Sequence, residues 1–167
     1  EIRFCDWSSD VCSSDLSFLQ FRAQVERIFN LSALWDVRIR GELGTSWVPD
    51  FSDLPSSQRF FAGGDRSVRG FALNELSPKD DKGNSLGGRH LFTGTLEVER
   101  ALPRNFGAAV FYDVGNAFDS FADPKLAYSV GVGVRWHIAV ASLGIDVAQA
   151  LSENRNPRLH LYISTLF

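Results

Sequence analysis

Apolar and polar side chains alternate with a period of two along most of the chain. Between residues 34 and 47, for example, Val37 and Ile39 alternate with Arg38 and Arg40. A strand projects successive side chains to opposite faces, whereas a helical face recurs every three to four residues. The same alternation predicts seven β-strands, at residues 18–29, 34–47, 89–102, 105–118, 126–138, 141–151 and 158–167.

The predicted strands are long, and one face of each carries polar or charged side chains. Strands of globular proteins average about 5–6 residues, whereas the tilted strands of a membrane barrel need about ten. Short turns on one side and longer loops on the other are typical of an outer-membrane barrel. The connections alternate in this way: short at 30–33, 103–104 and 139–140, longer at 48–88, 119–125 and 152–157. We therefore predict an all-β fold with about seven antiparallel strands of a transmembrane β-barrel; a soluble Greek-key or lipocalin-like barrel is the alternative.

Composition and charge exclude two classes of protein. The chain has 17 basic and 20 acidic residues and a net charge of −3, so no polybasic surface predicts a nucleic-acid partner. No apolar run approaches the roughly 18 residues that indicate a membrane-spanning helix. A membrane barrel remains compatible with this composition, because half of each strand is polar.

Residues 1–16 have no strand or helix period and resemble a translated sequencing adapter, whose bases in frame encode Asp6–Asp15. We predict that this segment is not native and that residues 17–167 form the barrel unit. A flexible natural terminus is the alternative. Both cysteines, Cys5 and Cys12, lie in the segment, so no disulfide is expected in the remaining chain.

Seven strands are not expected to form a closed barrel. The two edges of such a sheet would carry unpaired backbone groups, each costing several kcal/mol in hydrocarbon. Bacterial single-chain barrels close with an even number of strands. We therefore expect further strands upstream, which makes residues 17–167 the C-terminal part of the barrel.

The connection at residues 48–88 is too long for an ordinary hairpin and is a candidate functional segment. Its centre, residues 59–71, reads RFFAGGDRSVRGF and includes apolar side chains that require burial. Gly63, Gly64 and Gly70 are expected to turn the backbone tightly with positive φ. No Gly-Lys-Ser/Thr follows the glycines, so this is not a phosphate-binding loop. A turn-rich surface loop is the alternative, but it does not explain the apolar side chains.

This loop and a later Phe111-Tyr112-Asp113 motif resemble the outer-membrane protein assembly superfamily of POTRA-bearing barrels, which includes BamA, TamA, mitochondrial Sam proteins and two-partner-secretion transporters. In that family a Val-Arg-Gly-Phe/Tyr tip folds back into the barrel lumen. Its arginine meets the acidic residue of a Phe-x-Asp motif on the second strand after the loop. The RFFAGGD lead-in and the final YISTLF favour the TamA branch. The loop residues that carry the resemblance are Gly63, Gly64, Asp65, Val68, Arg69, Gly70 and Phe71.

The resemblance implies a set of lumen contacts for Arg69. Asp113 is the expected bidentate acceptor, and Glu97 or Glu99 is expected to offer a second one. The ring of Phe111 is expected to make a cation–π contact. The docked loop would then pin the lumen wall, act in the transport cycle, or do both.

The end of the chain alternates towards a terminal aromatic residue. This pattern is similar to the signal by which barrels are recognised for membrane insertion; an ordinary last strand is the alternative. The residues concerned are Leu159, Leu161, Ile163 and Phe167.

The resemblance implies a non-enzymatic factor of the bacterial outer membrane that helps insert β-barrel proteins or export autotransporter substrates. The implied partners are outer-membrane lipid, unfolded substrate proteins and a periplasm-spanning protein, with POTRA repeats upstream of the barrel. The alternatives are a two-partner-secretion pore, a barrel that anchors an upstream enzyme such as a patatin-like lipase, and a plain porin.

Neither a cofactor nor a metal ion is expected. His90, His137 and His160 lie in different predicted segments without the spacing of metal ligands. Residues 83–87 read Gly-Asn-Ser-Leu-Gly, but they lie inside the long connection rather than at a strand-to-helix turn, so no nucleophile elbow is predicted.

We predict that residues 17–167 do not fold alone, because an open sheet leaves backbone groups unpaired in hydrocarbon. The measurement is refolding of this fragment into detergent, followed by electrophoresis with and without heating. We expect no heat-modifiable monomeric band. A monomer with that property would contradict the prediction.

Overall fold

The computed structural model describes residues 3–4, 18–138, 140–153 and 155–165, and its strands form one antiparallel sheet. The strands lie in chain order, and each pairs with its neighbours in sequence. They are β1 (Arg3–Phe4), β2 (Leu19–Ser32), β3 (Trp35–Trp47), β4 (His90–Leu102), β5 (Phe106–Phe118), β6 (Ala127–His137), β7 (Ala141–Ala150) and β8 (Arg158–Thr165). Within the described residues β1 and β8 do not pair with each other, so the sheet is open.

The seven long strands are the seven that the alternating pattern predicts, and the prediction of an all-β fold is confirmed. The additional strand is β1, in which Arg3 pairs with Gln24 of β2. It lies in the segment 1–16, of which the other residues are outside the described ranges. The non-native origin of that segment stays a prediction.

The two faces of the sheet differ sharply in exposure. On β5, Val110 is 56% exposed, whereas its neighbour Phe111 is 2% exposed. The exposed face is apolar along β2 to β8 and includes Ile39, Val132 and Leu161. Soluble monomers rarely expose a continuous apolar surface of this extent. The outer face is therefore the lipid-facing surface of a membrane barrel, and the buried face lines the lumen.

The helical segments are single 3-10 turns at Phe51–Asp53, Ser56–Gln58 and Pro103–Asn105. In the ranges that the structure describes, no helix is long and apolar enough to cross a membrane.

The long connection between β3 and β4 folds back against the inner face of the sheet. Its Phe60, Val68 and Phe71 are buried against small or apolar inward side chains of the strands, such as Leu91 and Ala150. Arg59 holds the two ends of the connection together through four hydrogen bonds. The guanidinium of Arg59 donates to the carbonyl oxygens of Leu54 (2.8 Å), Leu86 (3.1 Å), Ser52 (3.1 Å) and Phe51 (3.3 Å). The connection is thus a folded element rather than a surface loop.

The glycines of the connection have two different functions. Gly63 and Gly64 adopt φ of 102° and 97°, as the sequence predicts. Gly70 is not among the residues with positive φ, so that part of the prediction is wrong. A Cβ on Gly70 would lie 2.7 Å from the Cβ of Ser129 and 2.9 Å from the Cα of Ala150. Gly70 is therefore needed because the backbone of the tip touches β6 and β7.

The last strand presents Leu159, Leu161 and Ile163 on the outer face, where all three are exposed. Phe167 lies outside the described residues. The proposed membrane-insertion signal therefore stays a prediction.

We predict that Gly70→Ala weakens docking of the connection, because the added methyl group overlaps the backbone of β7. The measurement is native-state hydrogen exchange of residues 60–76 in the full-length protein in lipid nanodiscs. The matched control is Gly41→Ala, whose new Cβ has only the carbonyl oxygen of Thr93, at 3.9 Å, within van der Waals range. We expect faster exchange for Gly70→Ala alone. Equal protection in both variants would contradict the close approach.

Candidate functional site

The tip of the long connection places Arg69 against Asp113 inside the sheet. The Nε and Nη2 atoms of Arg69 donate to Oδ2 (3.0 Å) and Oδ1 (2.9 Å) of Asp113, which is the bidentate geometry. The backbone N–H of Arg69 also donates to Oδ2 at 3.1 Å. The hydroxyl of Ser129 supplies a fourth hydrogen bond at 3.1 Å. Asp113 is 0% exposed, so these contacts replace the water that would otherwise solvate its charge.

Two further carboxylates bind the remaining terminal nitrogen of Arg69. Its Nη1 atom donates to Oε2 of Glu97 at 2.8 Å and to Oδ2 of Asp146 at 2.9 Å. These acids come from β4 and β7, and Asp113 comes from β5. One loop arginine therefore joins three strands of the wall.

The ring of Phe111 completes the seat of the guanidinium. The Cζ atom of Arg69 lies 3.3 Å from the ring centroid, within the range of a cation–π contact. The ring has room because its neighbour on β6 is Gly131, where a Cβ would overlap the ring. The small residue on one strand thus makes space for the aromatic residue on the next.

A second arginine is shared with the same acids. Arg135 on β6 forms an ion pair with Oδ1 of Asp146, and its Nη2 atom lies 3.2 Å from Oε1 of Glu97. We call Arg69, Glu97, Asp113, Arg135 and Asp146 the lumen cluster. All five side chains are buried. Its contacts alternate in sign, which is the arrangement that buried charges require.

The connection is also attached to the end of the sheet. The Nε2 atom of His160 on β8 lies 2.6 Å from the carbonyl oxygen of Arg69, and Nδ1 contacts Asp65. Farther out, Glu75 forms an ion pair with Arg155 in the connection between β7 and β8. Burial raises the pKa of Glu75, but hydrogen bonds from Arg155 and the backbone N–H of Ala72, with the charges of Arg155 and Lys79, outweigh it, so the pKa is lowered overall. Glu75 therefore stays ionised and attached at neutral pH.

The structure places most of the residues that the sequence singles out in one region. Arg69, Asp113, Glu97 and Phe111 come together as described above. Glu99 does not join them, because its Oε1 atom lies 2.7 Å from Nε2 of His137. Val68 and Phe71 lie in the apolar core beside the tip.

Four residues of the site are absent from the predicted contacts of Arg69: Ser129, Arg135, Asp146 and His160. Their inward positions follow from the alternation, since each lies on the face of its strand opposite the exposed apolar side chains. That signal places them in the lumen but does not pair them with Arg69. In the part of the chain that the structure describes, no three His, Cys, Asp or Glu side chains are placed to hold a metal ion.

The fold and the lumen cluster define a class of protein: a membrane barrel whose long loop is docked inside the wall by an arginine. Residues 4–165 match the Omp85 superfamily domain. The chain therefore belongs to the Omp85 superfamily, as the motifs predict.

Curated relatives agree with this assignment. The chain is 32% identical over 115 residues to the outer membrane protein assembly factor BamA of Nitratidesulfovibrio vulgaris, which covers 65% of the chain and 14% of that protein. It is 32% identical over 102 residues to the sorting and assembly machinery component 50 homolog of Xenopus tropicalis, covering 60% of the chain and 21% of that protein. The chain thus spans between a seventh and about a fifth of these relatives.

The fold resembles the crystal structure of BamA from Haemophilus ducreyi lacking POTRA domains 1–3. The TM-score is 0.73 at 20% identity, and the match covers 93% of this chain and 36% of that one. At this identity the likeness establishes the fold.

We predict that Asp113→Asn weakens loop docking more than Asp146→Asn. Asp113 accepts three hydrogen bonds from Arg69, whereas Asp146 accepts one and is also shared with Arg135. Removing one partner of a buried ion pair typically costs about 3–5 kcal/mol, and we expect Asp113→Asn to approach that range. The measurement is the free energy of local opening of residues 60–76 by hydrogen exchange.

The control for this comparison is Asp36→Asn, a lumen-facing carboxylate on β3 whose side chain pairs with Asn30 instead. A simple exchange of charges between positions 69 and 113 is less informative, because a carboxylate at 69 would face Glu97 and Asp146. Equal effects of Asp113→Asn and Asp146→Asn would contradict the assigned geometry.

Proposed function

We propose that the chain is the C-terminal part of a bacterial outer-membrane assembly factor that helps insert β-barrel proteins or export autotransporter substrates. The observation that carries the proposal is the docked loop, whose Arg69 binds carboxylates from β4, β5 and β7. Membership of the Omp85 superfamily and similarity to an outer membrane protein assembly factor, BamA, support it. A plain porin needs no such arginine-tipped loop.

The lumen cluster suits a loop that has to be held in one position and still be able to leave it. When Arg69 is docked, it joins three strands of the wall and positions the folded connection over the lumen. When Arg69 is withdrawn, Glu97 and Asp146 keep Arg135 as a counter-charge. Two of the three acids would then remain paired, which lowers the cost of undocking relative to three bare carboxylates.

The finer assignment is to the TamA branch, which the RFFAGGD lead-in and the YISTLF end favour. Under this proposal the partners are lipid of the outer membrane, unfolded substrate proteins and a periplasm-spanning protein, and the protein works without an enzymatic step. Upstream POTRA repeats and further strands complete the protein.

A second candidate, a two-partner-secretion pore, shares the arginine-tipped loop and the Phe-x-Asp strand. A barrel anchoring an upstream enzyme, such as a patatin-like lipase, is a third. The sequence upstream of the barrel separates these candidates: POTRA number, a plug helix, or a lipase domain.

We predict that Arg69→Ala slows assembly of a substrate barrel by the full-length protein in proteoliposomes. The expected loss is about tenfold or more, which corresponds to about 1.4 kcal/mol, well under the cost of breaking a buried pair. The measurement is the insertion of an unfolded outer-membrane protein, monitored through the heat-modifiable electrophoretic band of the inserted protein. The matched control is Arg22→Ala, an arginine on the polar face of β2 whose ion pair, 2.5 Å to Glu42, lies outside the cluster.

Full assembly activity in Arg69→Ala would contradict a role of the docked loop. Transport of a soluble exoprotein without barrel insertion would move the assignment to a secretion pore. Ion conductance with no effect on any protein substrate would indicate that the protein is a porin.

A further inference from the structure

We propose that an apolar cavity on the outer face of the barrel binds an acyl chain of a lipid from the surrounding bilayer. The cavity has a volume of about 400 Å³ and lies across β2 to β5 and the connection that follows β5. This volume is within the usual range of sites for small ligands, about 300–1,000 Å³. Its lining includes Phe21, Leu43, Phe92, Phe118, Phe121 and Leu126.

The register of the sheet explains why a hollow forms at this position. Phe21, Thr45, His90 and Phe118 are cross-strand neighbours in one row, in that order. Thr45 is the smallest of the four, and its hydroxyl lies 2.8 Å from Nδ1 of His90, so its polar atom is engaged within the wall. The small side chain forms the floor of the hollow between the larger side chains on either side.

The connection between β5 and β6 forms a cap on one side of the cavity. The side-chain amide of Asn116 donates to the carbonyl oxygens of Pro124 (3.2 Å) and Lys125 (3.0 Å), which fixes the connection against β5. The ring of Phe121 packs 5.4 Å from that of Phe118 and 4.2 Å from that of His90. Phe118 is buried as a result, although it lies on the outer face.

The position of the cavity determines what can fill it. Phe21 and Leu43 belong to the exposed apolar surface that faces lipid, and the cavity is continuous with that surface. The cavity lies at the strand ends that carry the long connections, near one boundary of the hydrocarbon layer. Water gains nothing from an apolar cavity, whereas a hydrocarbon chain beside it can enter without crossing a polar barrier. Phe121, 71% exposed, lies where aromatic side chains meet the membrane interface.

The test is native mass spectrometry of the full-length protein released from nanodiscs of phosphatidylethanolamine and phosphatidylglycerol. We expect one phospholipid to stay bound to the unmodified protein. Thr45→Trp fills the floor of the cavity and should abolish that adduct. The matched control, Val132→Trp, adds the same side chain to the outer face of β6, away from the cavity, and should retain it.

A second variant keeps the proposal testable if Thr45→Trp fails to fold. Phe121→Ala removes the cap without touching a strand, and we expect it to lower lipid retention at least severalfold. Its control is Leu73→Ala, another exposed apolar side chain on a connection. Brominated acyl chains should give bromine density beside Phe92 and Phe121 in a structure of the unmodified protein. Absence of a bound lipid, equal retention in each variant and its control, or protein density in the cavity would each overturn the proposal.

Discussion

The docked loop depends on one interaction, the binding of the Arg69 guanidinium by three buried carboxylates. A guanidinium does not lose its proton in a protein, so burying it requires acceptors for its N–H groups. Asp113 takes both edge donors, and Glu97 and Asp146 share Nη1. The carboxylates in turn need cations, which explains Arg135. The same ion pairs also explain the glycine at position 133 of the wall, because a Cβ there would overlap Asp146 and Arg135.

The apolar half of the loop complements this polar anchor. Phe60, Val68 and Phe71 cover the inner face next to the cluster, and Gly70 brings the tip backbone against β6 and β7. His160 and Arg155 then attach the tip and the rim of the loop to the last part of the sheet. Apolar burial and ion pairing therefore act on the same segment from different sides. A movement of the tip would be transmitted to β8, because His160 of that strand binds the carbonyl oxygen of Arg69.

The strands could be predicted from the sequence because alternation is a local property. Each of the seven long strands has one apolar and one polar face, and a membrane barrel keeps that pattern over its whole length. The pairing of Arg69 with Asp113 was accessible through the family motifs rather than through periodicity. Asp146 and Arg135 were not, because a charged residue at an inward position has many lumen neighbours until the register is known. In that register Gly133 of β6 pairs with Asp146 of β7. The side chain of Arg135, two residues along β6, then contacts the carboxylate of Asp146. The prediction of a positive φ at Gly70 was wrong for a related reason. The close approach of two segments, which is what requires this glycine, leaves no local pattern in the sequence.

The most direct test of the central claim is a double-mutant cycle between Arg69→Ala and Asp113→Asn. The measured quantity is the free energy of local opening of residues 60–76, by hydrogen exchange of the full-length protein in nanodiscs. If the two side chains bind each other in the lumen, the double variant should lose clearly less than the sum of the single losses, with a coupling of at least about 1 kcal/mol. Strict additivity, with each single variant costing the same in either background, would show that the loop is held by other contacts.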